Sequence, residues 1–209
     1  MKYLKCILLL SGLFIFSQVG KSQIGAGLAF NYDLYSILSN PEDGIASNNN
    51  GSALFTFGLG PKLWFGKGKF AFTVEAQAAI APLGLSLGDY KGLGAVSFPI
   101  MAKLNFGGMA GYSRLMEPGF SIGGGLQYNK TEIFGLKEEF VAKGVKRDYF
   151  KTYNIQAAAG VGISGFVGSL FVRYGFNPDL TGASNFHFGV QADFNFQQLK
   201  KIQRPESAL

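Results

Sequence analysis

Hydrophobic and polar residues alternate with a period of two over eight segments of the chain, the pattern of β-strands whose two faces meet different surroundings. In the first, Ile24, Ala26, Leu28, Phe30 and Tyr32 share one side, and Gly25, Gly27, Ala29, Asn31 and Asp33 the other. The second sets Phe55, Phe57, Leu59, Leu63 and Phe65 against Thr56, Gly58, Gly60, Lys62 and Trp64. In the third, Phe70, Phe72, Val74, Ala76 and Ala78 oppose Thr73, Glu75 and Gln77; in the fourth, the alternate positions from Val96 to Phe106 oppose Ser97, Met101, Lys103 and Asn105. Segments over 120–128, 153–163 and 166–176 repeat the pattern. The last is the most regular, with Phe186, Phe188, Val190, Ala192, Phe194 and Phe196 opposite His187, Gly189, Gln191, Asp193 and Asn195.

The connections support the same reading. Strands joined by a hairpin keep their apolar faces on one side of the sheet, and both Ser164-Gly165 and Gly66-Lys67-Gly68-Lys69 preserve that parity. The remaining connections are long, over 36–52, 83–92, 130–149 and 177–185, and alternate with the short ones. An up-and-down arrangement follows, with long loops at one rim and short turns at the other. The 107–119 connection is too long for its place at the short-turn rim.

The less apolar face is built from Gly, Ala, Ser, Asn and Gln, with Asp33, Lys62, Glu75, Lys103, Arg173 and Asp193 its strand charges. That face is too small and too uncharged for a water-exposed surface, but it suits the lumen of a narrow barrel. A lipocalin-like soluble barrel would instead turn the apolar face inward. Aromatic residues also gather at both ends of the apolar face: Tyr32, Phe55, Tyr128, Tyr153, Tyr174 and Phe186 toward the long loops, and Phe65, Phe70, Phe106, Phe120, Phe166 and Phe194 toward the short turns. These are the girdles expected at two membrane interfaces. The predicted fold is all-β, an eight-stranded antiparallel up-and-down transmembrane β-barrel.

Composition agrees: 30 glycines and 21 phenylalanines in 209 residues disfavour a helical bundle, and 47% hydrophobic residues rule out a disordered chain. At the amino-terminus, Lys2 and Lys5 precede an apolar run from Ile7 to Phe16 and the small residues Gly20 and Ser22, which reads as a cleaved signal peptide over 1–22. The barrel is then expected over 23–199, followed by a short basic tail over 200–209 with Lys200, Lys201 and Arg204, read as a disordered end. Removing Lys2, Lys5 and Lys21 leaves 16 basic against 13 acidic residues, so the net charge falls from +6 to +3 and the case for a nucleic-acid partner goes with it. Cys6 leaves as well, and with it any disulfide, thiolate metal site or cysteine nucleophile.

Candidate chemistry is sparse. Three acidic residues (Asp33, Glu75, Asp193) and three basic ones (Lys62, Lys103, Arg173) point inward and are expected to form an ion-pair network that plugs the lumen. The single histidine, His187, also points inward near the long-loop rim; Ser184 and Asp179 are close in sequence, but no G-x-S-x-G motif supports a triad, so no catalytic residue is assigned. There is no phosphate-binding glycine loop and no metal-ligand spacing, hence no cofactor and no metal. The mixed charges of 130–149 read as a solvated or lipopolysaccharide-facing loop.

His187-Phe188-Gly189-Val190-Gln191-Ala192-Asp193-Phe194 resembles the β-signal read by the barrel-assembly machinery of bacterial outer membranes, with His187, Gly189, Ala192 and Phe194 at its marked positions. In that family the pattern ends the chain, whereas Asn195 to Leu209 follow here. The chain over 23–199 is similar to the small outer-membrane barrels of the Bacteroidota, the PorT-like group, and to the wider OmpA-like eight-stranded barrels. The resemblance rests on Ser22-Gln23, the strand from Phe98 to Lys103, and the glycine-rich strand from Phe120 to Tyr128. It implies secretion through the inner membrane, a place in the bacterial cell outer membrane among lipid and lipopolysaccharide, and no assigned activity in most members. The expected role is non-enzymatic, structural or mediated by the loops, with an unidentified envelope protein as a possible partner. The alternatives are an accessory component of an outer-membrane secretion or transport assembly, and a lipid-modifying enzyme using His187.

Overall fold

The computed structural model describes residues 23–41, 51–86, 92–145 and 147–203. The expected signal peptide, with Cys6, and the far end of the tail lie outside the described residues. The strands are β1 (Gln23–Ser39), β2 (Gly51–Leu54), β3 (Thr56–Lys67), β4 (Phe70–Ala76), β5 (Ala78–Ala81), β6 (Leu83–Ser86), β7 (Leu93–Gly107), β8 (Glu117–Phe134), β9 (Phe150–Ile163), β10 (Phe166–Phe176) and β11 (Ser184–Asn195). They make eight staves, because β2 and β3 are parted only at Phe55, a non-glycine residue with φ 61, and β4, β5 and β6 run on from one another. The gap at Gln77 has a chemical cause. Its partner is Pro99, which accepts from the Gln77 amide at 2.9 Å but has no N–H to return.

Every ladder is antiparallel, and β1 pairs with both β3 and β11, so the sheet closes on itself. Registered partners can be followed around the ring from Gly27 through Lys62, Glu75, Met101, Gly125, Asn154, Gly175 and Asn185. The path returns to β1 at Leu38, eleven residues beyond its start, one of them the bulge at Leu34. That stagger tilts the staves by about 40° from the barrel axis.

The face assignment read from the alternation is the observed one. The Gly, Asn, Gln and charged face of each stave is buried inside, while Ile24, Leu59, Phe120, Ile122, Ile155 and Leu170 are each more than half exposed on the outside. The aromatic positions pair along the short-turn rim: Phe70 with Phe106 at 5.4 Å, Phe106 with Phe120 at 4.7 Å, and Phe166 with Phe194 at 5.3 Å between ring centres. At the other rim Tyr32 packs against Phe55 and Phe57.

Two segments differ from the sequence-based expectation. The 107–119 connection is an inward stopper rather than an oversized turn. A 3-10 turn at Gly108–Ala110 enters the barrel mouth, and Gly111 reverses the chain in the left-handed region with φ 75. Its backbone lies so close to β9 that a Cβ on Gly162 would stand 1.9 Å from the Gly108 carbonyl oxygen, which requires glycine there. The expected disordered tail begins instead as helix α2 (Phe196–Gln203), capped where Asn195 Oδ1 accepts the Gln197 amide at 3.2 Å. The staves also run further toward the long loops than the alternation alone predicts, β1 to Ser39 and β8 to Phe134. Helix α1 (Glu138–Ala142) lies in the loop that follows β8.

Candidate functional site in the lumen

The interior has three layers, and the middle one is polar. Glu75 stands directly across from Lys62 in the β3–β4 register and bridges two ammonium groups, Lys62 at 3.0 Å and Lys103 at 2.5 Å. Lys62 also meets Asp193 at 2.6 Å. These two sit on staves separated by β1, and they touch because Gly27 and Ala29 of β1 present almost no side chain between them. All four charged side chains are at most 4% exposed.

Gln191 binds this cluster together. Its amide nitrogen donates to Asp193 at 2.7 Å and to Glu75 at 3.0 Å, while its oxygen accepts from Lys103 at 3.0 Å. The other two predicted charges stand apart. Arg173 forms no ion pair among the described residues; its Nε donates to Gln156 at 2.8 Å and its Nη1 to Gln127 at 3.1 Å. Asp33 pairs with His187 Nδ1 at 2.8 Å. The six charges thus fall into a four-membered ionic cluster and two separate groups, and three glutamines join them into one hydrogen-bonded column.

The surroundings of His187 settle its tautomer. Gln127 Oε1 accepts from both Arg173 and Asn154, so the Gln127 amide nitrogen faces Asn129 Oδ1 at 2.6 Å and His187 Nε2 at 3.0 Å. An amide N–H toward Nε2 requires a lone pair there, which places the imidazole proton on Nδ1, donated to Asp33. Both ring nitrogens are therefore engaged, and Ser184 and Asp179 are not among their partners.

Apolar layers close both ends. Toward the short turns, Met109, Ala158, Val167 and Phe171 form one buried cluster and Trp64, Ala71 and Ala110 another, with Tyr112 packed against the second. The Tyr112 hydroxyl donates to the Gln23 carbonyl at 2.7 Å, and burial pushes its pKa up to about 12. Lys62 lies over the Trp64 ring at 5.3 Å and Arg173 over Phe171 at 5.3 Å, so cations mark the boundary between the polar and apolar layers. Toward the long loops, Leu38, Ala81, Ala95, Phe150 and Ala183 form a third buried cluster. Above them the 135–149 loop folds in, burying Phe140, Val145 and an Arg147–Glu132 ion pair of 3.0 Å.

Sequence reasoning placed all six charges and His187 inside, but missed the connecting glutamines and both apolar stoppers. The stoppers did leave a trace: Trp64, Val167 and Phe171 are large apolar residues on faces otherwise polar. No group of three or more metal-ligating side chains occurs among the described residues. The presumed β-signal pairs with β1 and β10: Gly189 opposes Asp33, beside the bulge at Leu34 that shifts the register before Phe188, and Phe194 opposes Leu28 and Phe166.

No protein-family model matches the chain, and no curated protein does. Among solved structures it is similar to Neisserial surface protein A, with TM-score 0.49 and 11% identity over 84% of this chain and 99% of that one. It is also similar to the outer membrane protein OprG from Pseudomonas aeruginosa, with TM-score 0.40 and 14% identity over 83% and 95%. A third is Ail, the attachment invasion locus protein of Yersinia pestis, solved with the heparin analogue sucrose octasulfate, with TM-score 0.43 and 10% identity over 82% and 98%. Below a TM-score of 0.5 these likenesses add nothing to the fold already given by the strand register.

Proposed function

We propose that this is a non-conducting, non-enzymatic outer-membrane β-barrel of the PorT-like kind, delivered by its leader and acting through its body and surface loops. The observation that carries the reading is the inversion of a soluble protein: polar side chains are buried and apolar ones cover the wall. Only a lipid surround makes such an exterior favourable, and a closed barrel satisfies the backbone that crosses it. The filled polar column between two apolar stoppers supports a body without a solute path. Against a lipid-modifying enzyme stand the two ring nitrogens of His187, which are engaged by Gln127 and Asp33 and not by a serine hydroxyl. A role as accessory component of a secretion or transport assembly rests on the loops and predicts co-purification with an envelope protein.

The direct test is electrophoresis of the detergent-extracted protein with and without boiling. The folded barrel is expected to migrate faster than the boiled chain and to fractionate with outer membranes. Recovery as a soluble periplasmic protein would overturn the proposal.

A further inference from the structure

The outer wall is nearly free of charge. Among the described strand residues, the charged side chains that face outward are Lys67, at the short-turn end of β3, and Lys130 and Lys151 toward the long loops. The last two are neighbours. Tyr128 pairs with Lys151 across β8 and β9, and continuing that register puts Lys130 opposite Tyr149. The four residues therefore form a square of alternating lysine and tyrosine on one outward face, with the lysines on the diagonal.

Lys130 Nζ lies 5.3 Å from the centre of the Tyr149 ring and Lys151 Nζ 4.7 Å from that of Tyr153. Phe98, the register partner of Tyr128, adjoins the square with its ring tilted against Tyr149 at 6.2 Å. Neither lysine makes an ion pair among the described residues. Asp179 is the acidic group close enough to act electrostatically on Lys151. Diagonal positions across an antiparallel pair are about 7–8 Å apart, and flexible lysine stems let both ammonium groups close on one anion held between them.

Resting on the membrane reading above, we propose that Lys130 and Lys151, framed by Tyr128 and Tyr149, bind the phosphate of an anionic lipid headgroup in the leaflet at the long-loop rim. Charge complementarity and position select the occupant. Two cations without an ion pair among the described residues sit above an aromatic belt, at the height where a headgroup meets its acyl chains, and the apolar wall below receives those chains.

The test is lipid retention. The protein is reconstituted in nanodiscs of phosphatidylcholine with a quarter of phosphatidylglycerol or of lipid A, extracted in mild detergent, and its bound lipids are counted by native mass spectrometry. Wild-type protein is expected to retain the anionic lipid with roughly tenfold enrichment. The double variant K130Q/K151Q is expected to lose it and K67Q to keep it; all three lysines lie on the outer face, so both variants are expected to fold as the wild type does. Equal retention by wild type and the double variant would overturn the site, as would displacement of the lipid by millimolar inorganic phosphate. Failure of the wild type to enter phosphatidylcholine nanodiscs would overturn the membrane reading itself, whereas entry without lipid preference would overturn only the lysine site.

Discussion

Glu75 shows how a single residue holds this interior. Its carboxylate is the counter-ion of two buried ammonium groups, so neutralising it leaves Lys62 with Asp193 alone and Lys103 with no carboxylate partner. Removing one member of a buried ionic cluster costs about 3–5 kcal/mol, and E75Q is expected to lower the urea midpoint of refolding into vesicles by a corresponding amount. Replacing Glu75 and Lys103 together by leucine and methionine is expected to recover much of the loss, because no charge is then left uncompensated. An unshifted midpoint in E75Q would contradict the ionic reading. The glycines on the inner face have a complementary role. A Cβ on Gly58 would stand 2.0 Å from Asn31 Oδ1, and one on Gly175 would stand 1.5 Å from Asn154 Oδ1. At both positions the amide lies in the space that glycine leaves.

Among the elements, the 107–119 segment sets the character of one end. Met109 is 4% exposed inside its apolar cluster, while Met116 in the same connection is 67% exposed. M109D is therefore expected to destabilise by on the order of 3 kcal/mol or more, by burying an unpaired carboxylate, and M116D by under about 0.5 kcal/mol; thermal melts in one detergent would separate them. Tyr112 gives the same segment a pH signature. Burial raises its pKa above the ordinary 10 to about 12, so the fold favours the protonated phenol. Its contribution is present in full below pH 10 and is lost as pH rises through 12, and the stability difference between wild type and Y112F is expected to disappear over that interval. A difference that persists to pH 12 would contradict the buried hydroxyl contact with Gln23.

At the level of the whole molecule, the three interior layers predict electrical silence. Reconstituted in planar bilayers, wild-type protein is expected to show no discrete conductance steps, and so is E75Q, because loss of one charge removes no apolar stopper. A steady conductance in the wild type would mean that the column opens. The barrel itself was legible in the residues, since period-two alternation assigns each side chain to one of two faces and the sparse charges of one face fit an interior and not a surface. The six charges and His187 could be placed inside for the same reason: inward direction is a local property of a strand. Who meets whom was not legible. The Lys62–Asp193 contact spans 131 positions and depends on the closure register across β1, and the joining of the column by Gln127, Gln156 and Gln191 depends on stagger. The stopper was hidden because the entry of 107–119 into the barrel mouth is decided by the glycine-to-glycine approach at Gly108 and Gly162. Sequence by itself determined the strands, their two faces and the apolar exterior, because these follow from local periodicity. Only the tertiary structure decided the ionic pairs, the tautomer of His187 and the closure of both ends, because each depends on distances between staves that exist only once the ring has closed.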